Sequence, residues 1–220
     1  MIDLIVAAVV LVIILSYVLA NFRGATRSDI NLTLNKFISD IRQAQTESLA
    51  GKITGVCYEE ASHETALGLC DRILSCEFCQ PEYPNFGYGV ATVECSNPPC
   101  NYFLFADVNG DGVVLAGDLL PSFPERLLGE TTIEQVCYSD QIEEPDFPPF
   151  ENFNCATGWK PGSFFGLVFQ ADKVSLKTRQ PLVNEPDIKY IAMRIKDQNK
   201  GRQAFLYISA SGLISSGILK

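Results

Sequence analysis

The pattern of apolar and polar positions divides the chain into three parts. In "MIDLIVAAVVLVIILSYVLANFRG" only Ser16 and Tyr17 interrupt an apolar run from Leu4 to Ala20. With Met1 and Ile2 the run approaches the roughly 20 residues that span a bilayer as a helix, which predicts a transmembrane half-helix over 1–22. In "TRSDINLTLNKFISDIRQAQTESLAG" the apolar positions move to three- and four-residue steps. Ile30, Leu34, Phe37, Ile38, Ile41, Ala44, Ser48 and Leu49 form one narrow stripe, while Asp29, Asn35, Lys36, Asp40, Arg42 and Glu47 take the other face. This predicts an amphipathic helix over 23–50, stopped by Gly51. No proline lies between Ala20 and Leu49. The two halves therefore read as one nearly continuous helix, with Gly24 its soft point, on the order of 75 Å long at 1.5 Å per residue.

From Lys52 to Lys220 short β-prone runs replace the helical period. "FGYGVATVEC" and "CNYFLFADV" flank "SNPP" and predict a hairpin. Further strands are expected in "TTIEQVCY", "SFFGLVFQA", "KVSLKTR", "IKYIAMRIKD" and "RQAFLYISASG", the last two forming a hairpin about "QNKG". "IEEPDFPPFENFN", with prolines at 145, 148 and 149, reads as an irregular surface loop. The expected class is α+β: a long N-terminal helix packed on an antiparallel β-sheet head, residues 51–220, with no internal repeat and no second domain.

Composition narrows the partners. A net charge of −9 repels nucleic-acid backbones and anionic membrane surfaces, and no basic run offsets it. Nothing basic precedes the apolar run, whereas Arg23 and Arg27 follow it, which argues against a simple cleaved signal peptide. Those arginines alone would hold the rest of the chain in the cytoplasm. Eight cysteines point instead to an oxidising compartment. A short basic leader ahead of Met1 reconciles the two, and it would place Asp3 near a processed N-terminus.

An apolar N-terminal segment with one acid near its start, continuing into an amphipathic helix that ends "DIRQAQTESLAG", resembles the class III signal and spine helix of type IV pilins and pseudopilins. "MIDLIV" is similar to the family pattern of two apolar residues, an acid and a further apolar run. Asp3 falls where the family usually has glutamate, the fifth mature residue, so the alignment implies a leader and two mature residues before Met1. Many type IV pilins carry a proline near the end of the apolar half, and this sequence has none there. The strand order, ending in "ISASGLI", resembles heads of the minor-pilin and pseudopilin-H type. The resemblance implies a subunit held in the cytoplasmic membrane, processed and N-methylated by a prepilin peptidase, then assembled by pilus machinery into a homo-oligomeric helical filament outside the cell. In such a bundle Asp3 would pair with a neighbour's N-terminal amine, since a buried carboxylate needs a cation. As a plain membrane anchor, Asp3 would only sit at headgroup level.

"DVNGDGVVLAGD", Asp107 to Asp118, fits a twelve-residue calcium loop. Asp107, Asn109 and Asp111 take positions one, three and five, Gly112 the turn at six, and Val113 offers its carbonyl at seven. Leu115 at nine would act through water or backbone oxygen, and Asp118 closes at twelve in place of the usual glutamate. The bland reading is an Asn/Asp/Gly-rich turn without metal. The loop also looks like half of a dockerin, but there is no second copy, and Pro121 and Pro124 would break the following helix.

The cysteines are Cys57, Cys70, Cys76, Cys79, Cys95, Cys100, Cys137 and Cys155. Cys76 to Cys100 has the spacing of a zinc ribbon, but an even count behind an exported membrane segment favours disulfides. Connectivity does not follow from sequence, though Cys95 with Cys100 across "SNPP" and Cys137 with Cys155 are the preferred pairs. His63 is the only histidine and Trp159 the only tryptophan; no phosphate loop, nucleophile elbow or HExxH is present, so no enzyme is expected. The function expected is a pilus-like structural subunit. The alternatives are a pseudopilin of a type II secretion system, a single-pass anchored calcium-binding surface protein and, remotely, a zinc enzyme.

Overall fold

The expected helical stripe lies on α1, Asp29–Leu49, in a computed structural model that describes residues 29–84, 86–93, 99–110, 116–120, 125–127, 130–139, 154–156, 164–170, 174–178, 189–198, 201–209 and 211–219. Ile30, Leu34, Phe37, Ile38, Ile41, Ala44 and Ser48 are all buried. Leu49, read as the last member of that stripe, is 60% exposed because the helix ends there. Gly51, at φ +61°, permits the left-handed cap: its N–H donates to Ser48 O at 3.1 Å, and Lys52 N donates to Glu47 O at 3.0 Å. The segment expected to span the membrane lies outside the described residues. Among the described residues no helix is long and apolar enough to cross a membrane.

Three antiparallel sheets follow. The first consists of β1 (Thr54–Tyr58), β2 (Ala66–Leu69) and β3 (Phe78–Glu82), in the order β2-β1-β3. The second joins β4 (Tyr88–Val93), β5 (Asn101–Ala106), β6 (Glu125–Arg126), β9 (Phe164–Phe169) and β10 (Val174–Thr178), in the order β10-β9-β4-β5-β6. The third joins β7 (Thr131–Ser139), β8 (Asn154–Ala156), β11 (Tyr190–Asp197), β12 (Gln203–Ser209) and β13 (Ile214–Leu219), in the order β13-β12-β11-β7-β8. The two expected hairpins form as β4–β5 and β11–β12. Asn154, the last residue of the proline-rich stretch, begins β8; residues 142–153 lie outside the described ones.

Helix α1 packs on β4, β9, β11 and β12, so its stripe closes one core shared by both five-stranded sheets. Phe37 sets its ring edge-on to Tyr102, centroids 4.8 Å apart. The reverse faces carry smaller clusters, Ala91, Phe105 and Val168 on the second sheet and Cys137, Ala192 and Tyr207 on the third.

Polar side chains of α1 dock as well. The Tyr102 hydroxyl donates to Asp40, and Lys36 Nζ donates to the Tyr102 oxygen at 3.0 Å. At the far end Ser48 donates to Phe169 O and lies 2.9 Å from the Tyr83 hydroxyl, while Tyr88 donates to Lys52 O at 2.9 Å. Burial, and then the bond to Asp40, push the Tyr102 phenol up; Lys36 pulls the other way. Tyr88 is pushed up to about 12, chiefly by burial and then by Glu47 and Tyr83. Tyr58 is pushed up to about 12, chiefly by the hydrogen bond it donates to Glu82 at 2.6 Å and then by burial.

These phenols keep their protons in the folded state after an unfolded chain has lost its own near pH 10. The stabilisation they supply is therefore complete below about pH 10 and is lost as pH rises through the folded-state values. A spectrophotometric titration of the full chain will show a late class of tyrosines ionising near pH 12 and above, with stability falling over the same range. A single transition near pH 10 for all eight tyrosines would contradict the docking described.

Candidate metal centre

Strand β5 delivers the calcium-type loop. Asp107 follows directly on Ala106, and the chain returns through a 3-10 turn at Ala116–Asp118 to bridge Phe105 with Leu119. Leu120 N donates to Leu104 O at 3.0 Å and continues the closure. The residues flanking the loop are thus clamped together, so positions one and twelve stand at adjoining strand ends. Both end carboxylates are buried, Asp107 and Asp118 each being 1% exposed, while Asn109 is exposed.

Asp107 is held rigidly. Its N–H donates to Gly87 O at 3.0 Å, its carbonyl accepts from Phe86 N at 3.2 Å, and its Oδ1 accepts from Gly110 N at 2.7 Å. That last bond makes an Asx-type turn and aims the carboxylate into the loop. Gly110 lies at φ +74° with the Phe86 ring against it, and a Cβ there would meet that ring at 1.7 Å. Neither the conformation nor the space suits another residue.

The small sheet supports the returning arm. Arg72 donates from Nε to Leu119 O at 2.9 Å and from Nη2 to Leu120 O at 2.7 Å. Gly68, at φ +147°, lies so close to Gly117 that a Cβ would meet its backbone at 2.8 Å. Two disulfides lock this support: Cys57–Cys76 joins β1 to the β2–β3 connection, and Cys70–Cys79 joins the end of β2 to β3, each with Cα atoms 5.8 Å apart. Gly55 leaves room for the second, because a Cβ on it would stand 3.1 Å from Cys70 Sγ.

These pairings remove the zinc-ribbon alternative, since the Cys76 and Cys79 sulfurs are bonded to Cys57 and Cys70. Cys100 and Cys137 are also disulfide-bonded. The backbone sets Cys137 opposite Cys155 on β7 and β8, the register that the preferred pairing requires. Cys95 lies outside the described residues. So do Asp3, Asp111, Gly112, Val113, Leu115 and Trp159. Among the described residues no three His, Cys, Asp or Glu side chains come together. His63 is exposed beside the Tyr58 ring, centroids 4.8 Å apart.

The sequence sets carboxylate and amide oxygens at alternate positions, the donor type of a hard cation, and among the described residues the first position makes an Asx turn while the carboxylates of positions one and twelve are both buried. Arg72, Phe86, Gly68 and Gly117 escaped the sequence reading. Compared with known proteins, the chain matches no family model, no curated protein and no solved structure, so the site is read from its own residues.

Proposed function

We propose that the chain is a structural subunit of an extracellular type IV pilus-like filament, polymerising through its N-terminal helix, with one structural calcium in the 107–118 loop of the head. The observation that carries this reading is the use of α1. Its apolar stripe, Ile30 to Ser48, is fully engaged by its own head, so it is unavailable to cover the apolar run that immediately precedes it in sequence. Leu4–Ala20 then needs another apolar environment: a bilayer before assembly, and copies of itself in a filament core afterwards. Asp3 in such a core would pair with the amine of a neighbour.

The α+β head, tied to α1 at its middle and its C-terminal end and stapled by disulfides, suits a module exposed to shear and proteases outside the cell. The calcium loop fits the same setting, because extracellular calcium at millimolar concentration fills even weak loops of this kind. The reading is tested by gold-labelled antibody against the head, viewed on whole cells. Label is expected along filaments that shearing releases. Label confined to the cell envelope, with no filaments, would refute it.

A further inference from the structure

The three sheets end in six edge strands, and five of them are blunted against pairing. β6 spans two residues, β8 three and β2 four. β3 carries Pro81 and Glu82, and β10 carries Lys177. β13, Ile214–Leu219, is different: six residues, none charged, none proline, hydrogen-bonded among the described residues to β12 alone. Its surroundings are apolar and open, with Leu213 54% and Ile218 41% exposed and Ser216 exposed between them. A neutral edge of this length, with no strand beyond it among the described residues, presents main-chain donors and acceptors to any strand that can match it.

The segment matches itself. "LISSGIL" is nearly the same in both directions about Ser216. Laid antiparallel on a second copy and centred on Ser216, it sets Leu213 opposite Leu219, Ile214 opposite Ile218, Ser215 opposite Gly217 and Ser216 opposite itself. Apolar residues then meet apolar residues at four of the seven positions, and no like charges face each other although the chain carries −9 overall. We propose that β13 is a self-pairing edge through which two copies of this chain join their third sheets into one continuous antiparallel sheet with two-fold symmetry about Ser216.

A two-fold contact is isologous, whereas successive subunits of a polar filament meet head to tail. The β13 pair therefore links copies in different filaments, or unassembled copies in one membrane, and it stands independently of the filament reading. Strand pairing alone buries less than a stable standard-size interface, so a single pair is weak and many along two surfaces act together.

The test is site-directed crosslinking in the full-length chain in its native membrane. Paired residues in an antiparallel ladder lie about 4.5 or 5.5 Å apart at Cα, within disulfide range. No free cysteine competes among the described residues. Under mild oxidation Ser216→Cys is expected to give at least fivefold more covalent dimer than Ser62→Cys, an exposed position in the turn between β1 and β2. Adding Ile218→Lys should remove that excess. Equal yields from Ser216→Cys and Ser62→Cys would overturn the proposal. If Ser216→Cys disturbs the fold, hydrogen exchange on the unmodified chain decides. β13 amides that exchange more slowly as the chain is concentrated in the membrane support pairing, and exchange independent of concentration overturns it.

Discussion

Cells producing the Asp3→Ala chain will carry few or no surface filaments, while the head remains folded. The expectation follows from where a carboxylate can stand in an apolar bundle. Within a packed helical core the Asp3 charge persists only with a partner, and removing one member of a buried pair costs about 3–5 kcal/mol, because the other charge is left uncompensated. That penalty recurs at every subunit added, so a loss modest for one contact becomes decisive for a polymer. Stability of the head is expected to be unchanged, because the core among the described residues is built from α1 and the sheets. Asp3→Glu keeps the charge and should restore filaments. Counting filaments by electron microscopy, with protease resistance of the head as the folding control, separates the outcomes. Normal filaments from Asp3→Ala would remove the pairing role of Asp3.

Chelating calcium will lower the melting temperature of the full chain by about 5–10 °C. Calcium at a hundredfold excess over its dissociation constant stabilises by about 2.7 kcal/mol, and about 2–4 °C follows from each kcal/mol in a chain of this size. The sign has an internal check. Asp107→Asn keeps an acceptor for Gly110 N but removes one of two buried charges. It should therefore abolish the response to calcium, and in chelator it should melt close to the unaltered chain, because the bond from Gly110 N is kept. A melting temperature indifferent to chelation would leave the loop as an Asn/Asp/Gly turn.

The helix was legible in sequence because burial alone decided it. Seven stripe residues from Ile30 to Ser48 face the core, and the one outlier, Leu49, lies where Gly51 caps the helix. The strands from β4 to β12 that were foreseen are those rich in aromatic and β-branched residues. β1 to β3 were not foreseen, because "ALGL" and "FCQPE" have weak strand propensity and owe their pairing to two crosslinks and a close glycine contact. Periodicity placed Asp40 on the polar face of α1, but it distinguishes only apolar from polar and cannot show that Tyr102 reaches Asp40 from a strand far along the chain. The spacing of Asp107, Asn109 and Asp118 was legible in sequence; the contacts that hold the two ends of that stretch were not, because Arg72 and Phe86 reach Leu119, Leu120 and Asp107 from other segments.

The most direct test of the filament account is peptide mass spectrometry on filaments sheared from cells that make this chain. The account predicts an N-terminal peptide that starts about two residues before Met1 and carries an N-methyl group, the mark of prepilin-peptidase processing. A chain that stays wholly in the membrane fraction with an unmethylated, unprocessed N-terminus would contradict it.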